Sequence, residues 1–414
     1  MFSLIVFVHE AGHFTVAKLC GMRVREFMIG LPGPNLGFSI GDTRFGITPF
    51  LLGGYALIAG MQYESESPTL ADTLAELAAV GQMDTAAVQD RERELGFDLE
   101  GDLDQLADWG TIQRSRTKNG LYLYAMNATA DSKRGAARTL DDPQATITAE
   151  RKLTYLGAPY YQRVLMLLAG ALFNLVFAII VFTAAMMYIG DSQTTTTLES
   201  ITIDSPAELA GIMPGDQLLA LDGQEVSSWQ EFYDKVGEYT PGDKITVTVL
   251  RAGENLDFSL TLADNSGRAF LGVSPTVVRT PVGLTEALAR SFGFIGIVAV
   301  TIISLLNPAT FGQVISQSSS VVGISVEAAN AAEAGFLPFI ALAAALSISI
   351  GLMNVLPIPP LDGGKIVLET IQRIIGRPIP SKIINNISVA ALVLLGLLFV
   401  VVTWQDIQRY FIAG

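Results

Sequence analysis

The chain has 414 residues, 50% of them hydrophobic and 16% charged, with a net charge of −14. So apolar a composition points to an integral membrane protein with soluble parts rather than one soluble domain, and the negative charge disfavours a nucleic-acid partner. A single cysteine, Cys20, excludes an intrachain disulfide framework and a cysteine-rich metal site.

The first element predicted is an apolar helix over Phe2–Cys20. It holds both histidines of the chain in the stretch His9-Glu10-Ala11-Gly12-His13. Residues i and i+4 share a helix face, so the two imidazoles can bind one metal ion. Glu10 lies between them, placed to take a proton from water whose pKa a zinc ion lowers to about 7. A glutamate and two histidines are costly inside a bilayer unless something pairs with them, which weighs against an accidental pattern. A helix from 2 to 20 covers roughly 28 Å at 1.5 Å per residue, barely a span. We therefore expect translation of the native protein to start upstream of Met1. The run lacks a basic n-region and does not read as a signal peptide.

Residues 27–60 contain short runs of aromatic and β-branched residues: Phe27-Met-Ile-Gly, Phe38-Ser-Ile-Gly, Phe45-Gly-Ile-Thr and Leu52-Gly53-Gly54-Tyr55-Ala-Leu-Ile. Broken by Gly41-Asp42, they predict β-hairpins too apolar for an ordinary exposed loop. Residues 61–150 carry 17 acidic and 8 basic side chains. Helices are predicted over Leu70–Val80, Ala86–Leu95 and Leu103–Trp109, and a strand over Leu121–Ala125. A solvated acidic accessory domain is the favoured reading; a small winged-helix-like unit is the alternative.

Val164–Ile189 is uncharged and long enough to span a bilayer. Phe292–Leu306 is shorter than a typical span and reads as a re-entrant or interfacial helix, or an extra crossing. Phe336–Leu356 and Ile383–Thr403 are two further spans. Lys18, Arg23 and Arg25 follow the first segment; Arg151, Lys152 and Arg163 precede the second; Lys365, Arg373, Arg377 and Lys382 separate the last two. Placing these groups in the cytoplasm satisfies the positive-inside rule and puts both termini and residues 190–285 outside.

The third span ends in Asn354-Val-Leu-Pro-Ile-Pro-Pro-Leu-Asp362-Gly-Gly. Its prolines must break the helix. A catalytic zinc wants three protein ligands and an open position. With no third histidine, Asp362 is the best candidate carboxylate, although Asp362-Gly363 alone also reads as a simple turn.

HExxH on the first segment plus N-x-x-P-x-P-x-L-D-G-G on a late one resembles the site-2 proteases, in the layout of their bacterial regulator of sigma-E branch. The resemblance covers the membrane core and the region after the second span, leaving out mainly residues 61–150. It implies an intramembrane Zn2+ metalloprotease that cuts transmembrane segments, commonly of anti-sigma factors. It also implies that His9, His13 and Asp362 bind zinc, that Glu10 is the general base, and that Asn354 helps hold substrate or oxyanion. The stretch ending Gly53-Gly54-Tyr55 looks like the family's membrane-associated β-hairpin, which would contact substrate. Two stretches depart from the family pattern: Gly170-Ala-Leu-Phe-Asn174 lacks a proline, and Ser320-Val-Val-Gly323-Ile replaces a Gly-Pro-containing run.

Residues 205–224, with Pro214-Gly215-Asp216 and Asp222-Gly223 as turns, resemble a bacterial PDZ domain. Strands are predicted over Gln217–Leu221 and Lys244–Arg251, and a helix over Trp229–Val236. Phe270-Leu271-Gly272-Val273 looks like a peptide-binding loop in a permuted arrangement, for a ligand added as a strand. A spacer or size filter without a ligand is the other reading.

The fold expected is thus an α-helical polytopic membrane protein of about four transmembrane helices, with a membrane-associated β-hairpin region and an inserted extracytoplasmic α+β PDZ domain. Its expected parts are residues 1–60 (first helix and hairpins), 61–150 (acidic cytoplasmic insert), 151–190 (second helix), 191–280 (PDZ domain) and 281–414 (C-terminal membrane region). Partners expected are transmembrane protein substrates, a peptide ligand of the PDZ domain, and membrane lipid. The rival readings are a proteolytically inactive PDZ scaffold and an ion transporter using His and Asp as a relay.

Overall fold

A computed structural model describes residues 1–414 apart from 52, 63–65, 266, 306, 378 and 413–414. Leu52, in the predicted strand before Tyr55, and Leu306, the end of the short apolar stretch, fall outside the described residues. The chain forms two compact units, Thr183–Arg290 and the remainder.

The larger unit begins with α1 (Phe2–Leu19). Gly21, at φ 77°, stops it. The Gly21 and Met22 N–H groups donate back to Lys18 and Ala17 carbonyls, a Schellman closure that a left-handed glycine permits. The strands β1 (Val24–Ile29), β2 (Leu36–Ile40), β3 (Thr43–Ile47) and β4 (Gly54–Ile58) follow. Gly41-Asp42 does turn a hairpin between β2 and β3. The hairpin expectation is nevertheless incomplete: β1 runs parallel to β3 and antiparallel to β4, in one mixed sheet ordered β2-β3-β1-β4. The chain between β1 and β2 crosses over instead of turning tightly, and short-range turn signals do not report that. On β2, Leu36, Phe38 and Ile40 are all exposed.

The acidic insert has its own core. Its elements are α2 (Leu70–Val80), β5 (Gln82–Asp84), α3 (Thr85–Leu95), α4 (Leu99–Trp109), β6 (Ile112–Arg116), β7 (Tyr122–Met126) and α5 (Pro143–Arg151). Leu74, Leu77, Leu103, Leu106, Trp109, Ile112 and Tyr124 pack together, fully buried. Helices α2, α3 and α4 precede the β6–β7 hairpin, and β5, absent from the sequence-based expectation, completes the sheet β5-β7-β6. Asp102 and Asp108 are buried with this core, and the insert's acidity hides a core periodicity already visible in α2 and α4.

Helix α6 (Tyr160–Ile189) spans 30 residues. After the smaller unit come α9 (Leu284–Ser304), α10 (Pro308–Gln317), α11 (Val321–Ala334), α12 (Phe336–Val355), α13 (Asp362–Ile375) and α14 (Ser381–Ile407), the last running into a π-helical end, Gln408–Ile412. Among the described residues, four helices are long and apolar enough to cross a membrane: Tyr160–Ile189, Leu284–Ser304, Phe336–Val355 and Lys382–Ile412. The number matches expectation but the membership does not. Helix α9 begins well before Phe292 and reaches 21 residues, because its first turns are too polar to show in an apolar run. Helix α1 drops out, its 18 residues including His9, Glu10, His13 and Lys18.

The smaller unit contains β8 (Asp191–Ile201), α7 (Pro206–Ala210), β9 (Gln217–Leu221), β10 (Gln224–Glu225), α8 (Trp229–Gly237), β11 (Lys244–Arg251), β12 (Glu254–Thr261), β13 (Ala263–Asn265), β14 (Arg268–Phe270) and β15 (Val273–Thr280). Its main sheet runs β12-β11-β9-β8-β15, over a core that includes Leu198, Leu218, Phe232, Val247 and Leu271. Asp222 and Gly223 both take positive φ, as a type I′ hairpin turn requires.

One buried ion pair anchors this unit. Asp216 accepts from Arg251 Nε and Nη2, each at 2.7 Å, and from the Met213 N–H at 2.8 Å. Burial opposes its charge, but the Arg251 fork and the Met213 N–H outweigh it and hold the carboxyl below the ordinary aspartate range. Its stabilisation is therefore complete above about pH 4, the unfolded pKa, and is lost as pH falls through the lower folded value. Asp216→Asn should cost about 2–3 kcal/mol at neutral pH. Wild type and variant should converge towards acid, measured by amide hydrogen exchange over residues 191–280 of the full chain. A constant gap down to strong acid would contradict the pairing.

Candidate metal centre

His9 and His13 project from one face of α1 into a buried space closed by α6 and the start of α13. Helices α1 and α6 meet through small residues: a methyl at Gly12 would strike the Ala169 carbonyl. A methyl at Gly170 would lie 2.5 Å from His13 Nε2 and 2.6 Å from His9 Cε1. This close approach also brings the Met166 carbonyl 2.8 Å from His13 Nδ1. Nδ1 then carries the proton and donates, leaving Nε2 free as a ligand.

Asp362 arrives from 353 residues away. Pro357, Pro359 and Pro360 end α12 and allow the chain to fold back. Gly363 and Gly364 let the new helix α13 start against the end of the old one: a methyl at Gly363 would overlap the Val355 and Leu356 carbonyls. The far side of α13 is fixed to the start of α6, where Glu369 pairs with Arg163 at 3.0 Å and accepts from Tyr155 Oη at 3.0 Å.

Three donor atoms converge as a result. His9 Nε2 and His13 Nε2 are 3.1 Å apart, and Asp362 Oδ2 lies 3.1 and 3.2 Å from them. Among the described residues, this is the one cluster of three or more His, Cys, Asp or Glu side chains able to hold a metal ion together. A tetrahedral zinc with bonds of about 2.0–2.1 Å separates its ligands by roughly 3.3 Å, so the triangle fits with one corner open.

A fourth residue supports the site that the sequence motifs did not assign to it. Asn174 is fully buried, with its side-chain nitrogen 3.5 Å from His9 Nδ1 and its Oδ1 without a partner among the described residues. Turning the amide over gives that oxygen the His9 Nδ1–H to accept, which again frees Nε2 for metal. Ser347 Oγ donates to the Asn174 backbone carbonyl at 3.1 Å and ties α12 to the same spot. An asparagine inside an otherwise apolar run was the available signal.

Glu10 stands on the adjoining face. Its Oε2 accepts the Ala56 N–H of β4 at 2.9 Å. Gly54 and Tyr55 lie on the same strand, with Gly53 just before it, and Tyr55 Oη donates to Glu26 at 2.7 Å. Asn354 is placed differently: its amide donates to the Ile350 carbonyl one turn earlier at 2.9 Å, and among the described residues it bonds to none of His9, Glu10, His13 or Asp362. In the smaller unit, Phe270 ends β14 and Val273 begins β15. The Leu271 and Gly272 carbonyls between them accept from the Ala207 and Thr202 N–H groups at 3.0 and 2.8 Å.

The sequence model of peptidase family M50 matches residues 1–398. The zinc metalloprotease RasP of Shouchella clausii is 30% identical over 99% of this chain and 98% of its own length. The probable protease eep of Enterococcus faecalis is 28% identical over 99% of this chain and 98% of its own. Among solved structures, the PDZ domain of the SdrC-like protein from Listeria innocua covers 21% of this chain and 99% of that one at 27% identity, with a TM-score of 0.19.

Proposed function

This chain belongs to peptidase family M50 as a zinc-dependent membrane metalloprotease of the site-2 type, and on that premise we propose that it hydrolyses peptide bonds in or near transmembrane segments of other membrane proteins. The substrate class we favour is an anti-sigma factor or a similar single-pass protein.

The observation that carries this reading is the Ala56–Glu10 hydrogen bond. Strand β4 ends the sheet, and among the described residues no other strand pairs with its outer edge. The Ala56 N–H points from that edge to Glu10, so the free edge opens onto the base. A transmembrane helix hides its peptide groups in its own hydrogen bonds and must unwind to be cut. Pairing with β4 replaces the bonds lost on unwinding and delivers an extended peptide beside Glu10.

His9, His13 and Asp362 would hold the zinc, which when bound supplies a Lewis acid that makes water acidic enough to lose a proton near neutrality. Glu10 takes that proton as the water oxygen attacks the carbonyl carbon, then returns it to the leaving nitrogen as the C–N bond breaks. Met166 and Asn174 keep the imidazoles oriented. Asn354, on the last turn of α12, is proposed to meet the substrate only after it has entered.

The protein is a multi-pass membrane protein. We place Lys18, Arg151 and Lys365, with their basic neighbours, in the cytoplasm, the metal centre towards that side, and the PDZ-like unit outside. Helix α9 does not upset this parity. Asp406, near the end of α14, accepts from the Ser320 and Gly323 N–H groups, and Arg409 donates to the Ser316 carbonyl. On this placement the end of α14 lies outside and these bonds tie the chain after α10 to it, so we read α9–α10 as a re-entrant excursion. In the PDZ-like unit, β15 is an outer strand of its sheet, and a peptide ligand is proposed to add along its free edge.

Comparing membrane-protein fragments in cells carrying wild-type or Glu10→Gln protein tests the function. The proposal expects transmembrane stubs to accumulate only with the variant. Identical fragment sets would favour the inactive scaffold.

A further inference from the structure

A cavity of about 740 Å³ lies between the β1–β3 face of the first sheet and the β6–β7 hairpin of the insert. The insert is acidic, yet six arginines line this space, Arg23, Arg25, Arg44, Arg114, Arg134 and Arg138, against three carboxylates, Glu26, Asp42 and Glu150. Two are neutralised internally, Arg23 by Glu150 at 2.6 Å and Arg114 by Asp104 at 2.7 Å. Among the described residues, the other four pair with no carboxylate. Arg25 and Arg138 donate only to backbone carbonyls, of Asp108 and Asn127, or to a serine hydroxyl. Arg134 donates to Ser115 Oγ at 3.3 Å. Arg138 Nε and Asn127 Oδ1 are buried without a partner.

Burial pulls the Arg25 guanidinium below its ordinary pKa; Asp108 and Glu26 counter this, and Arg114 and Arg23 add repulsion. Like charges converging on one recess repel one another, least screened at Arg25 and Arg138, which are partly sheltered from solvent. The guanidinium fork matches phosphate oxygens in pairs. A carboxylate offers one charge, whereas a terminal phosphate offers about 1.5–2, closer to what four unpaired cations need. We propose that this cavity binds an anion bearing one or more phosphates and at least two negative charges.

Two sources share that chemistry. Arg23 and Arg25 follow closely on the end of α1, so on the topology proposed above a lipid's anionic headgroup is one source. A soluble phosphorylated compound could instead enter from the aqueous side. An occupant from either source would bridge the insert to β1, whose partner β4 holds Glu10. The binding claim does not depend on proteolysis.

Inorganic pyrophosphate titrated calorimetrically into the full, zinc-loaded chain in neutral detergent tests it. Saturable binding at one site is expected. Arg44→Gln/Arg134→Gln, at two exposed positions, should weaken it at least about tenfold with unliganded melting temperature and zinc content unchanged. Gln113→Glu, which adds a carboxylate to the lining without removing an arginine, should weaken it as well. In nanodiscs, a lipid source predicts that cardiolipin, but not phosphatidylcholine, blocks pyrophosphate and raises the melting temperature of wild type alone. A soluble source predicts equal pyrophosphate affinity in both lipids. No saturable binding together with no cardiolipin effect, or equal responses from wild type and both variants, would overturn the proposal.

Discussion

Glu10→Gln protein will retain zinc at the wild-type ratio while cleaving a model transmembrane substrate about 10²–10⁴-fold more slowly. The amide keeps an oxygen that can accept the Ala56 N–H, bonded to Glu10 Oε2 at 2.9 Å, so β4 and its free edge stay in place. None of the three converging donors is touched. What disappears is the group that takes the proton from water. Single-turnover cleavage beside metal analysis on the same sample separates the outcomes. Retained activity would remove Glu10 as base; lost zinc would show that it holds the site together instead.

The second large effect is expected at a residue with no chemistry of its own. Gly170→Ala places a methyl 2.5 Å from His13 Nε2 and 2.6 Å from His9 Cε1, where the imidazoles must sit to share an ion. Zinc affinity should fall at least about 10–100-fold, the range for disturbing a ligand's support. The helix itself gains from the change, since alanine is favoured over glycine by about 1 kcal/mol in a helix interior. Gly396→Ala on α14, with nothing near the added methyl, is the control and should bind zinc normally. Competition with a chelator checks both. Unchanged affinity in Gly170→Ala would mean that α1 and α6 stand further apart than described here.

The three residues that converge in the candidate metal centre each leave a local mark in the sequence. His9 and His13 share a face by spacing alone. Asp362 follows three prolines that end a span, and no third histidine competes with it. The supporting groups left weaker marks. The Met166 carbonyl is backbone and has no sequence signature, and Gly170 looked like one more small residue in an apolar helix. Asn174 is marked in the sequence only as part of an altered motif. Among the strands, the Gly41-Asp42 hairpin was visible from its turn, whereas the parallel β1–β3 pairing depends on a crossover that no turn residue encodes. Helix α9 was cut short because only its apolar part, from Phe292, stands out. In the insert, the many carboxylates of α3 and α4 mask a core that places Leu103, Leu106 and Trp109 at full burial, with Asp102 and Asp108 buried beside them.

The most direct test of the whole account is zinc K-edge X-ray absorption on the purified full chain. The prediction is one zinc per chain in an all nitrogen-and-oxygen environment, with two imidazoles at about 2.0–2.1 Å and no sulfur, losing one imidazole in His13→Ala. A spectrum showing a thiolate from Cys20, fewer than two imidazoles, or no change on replacing His13 would contradict it.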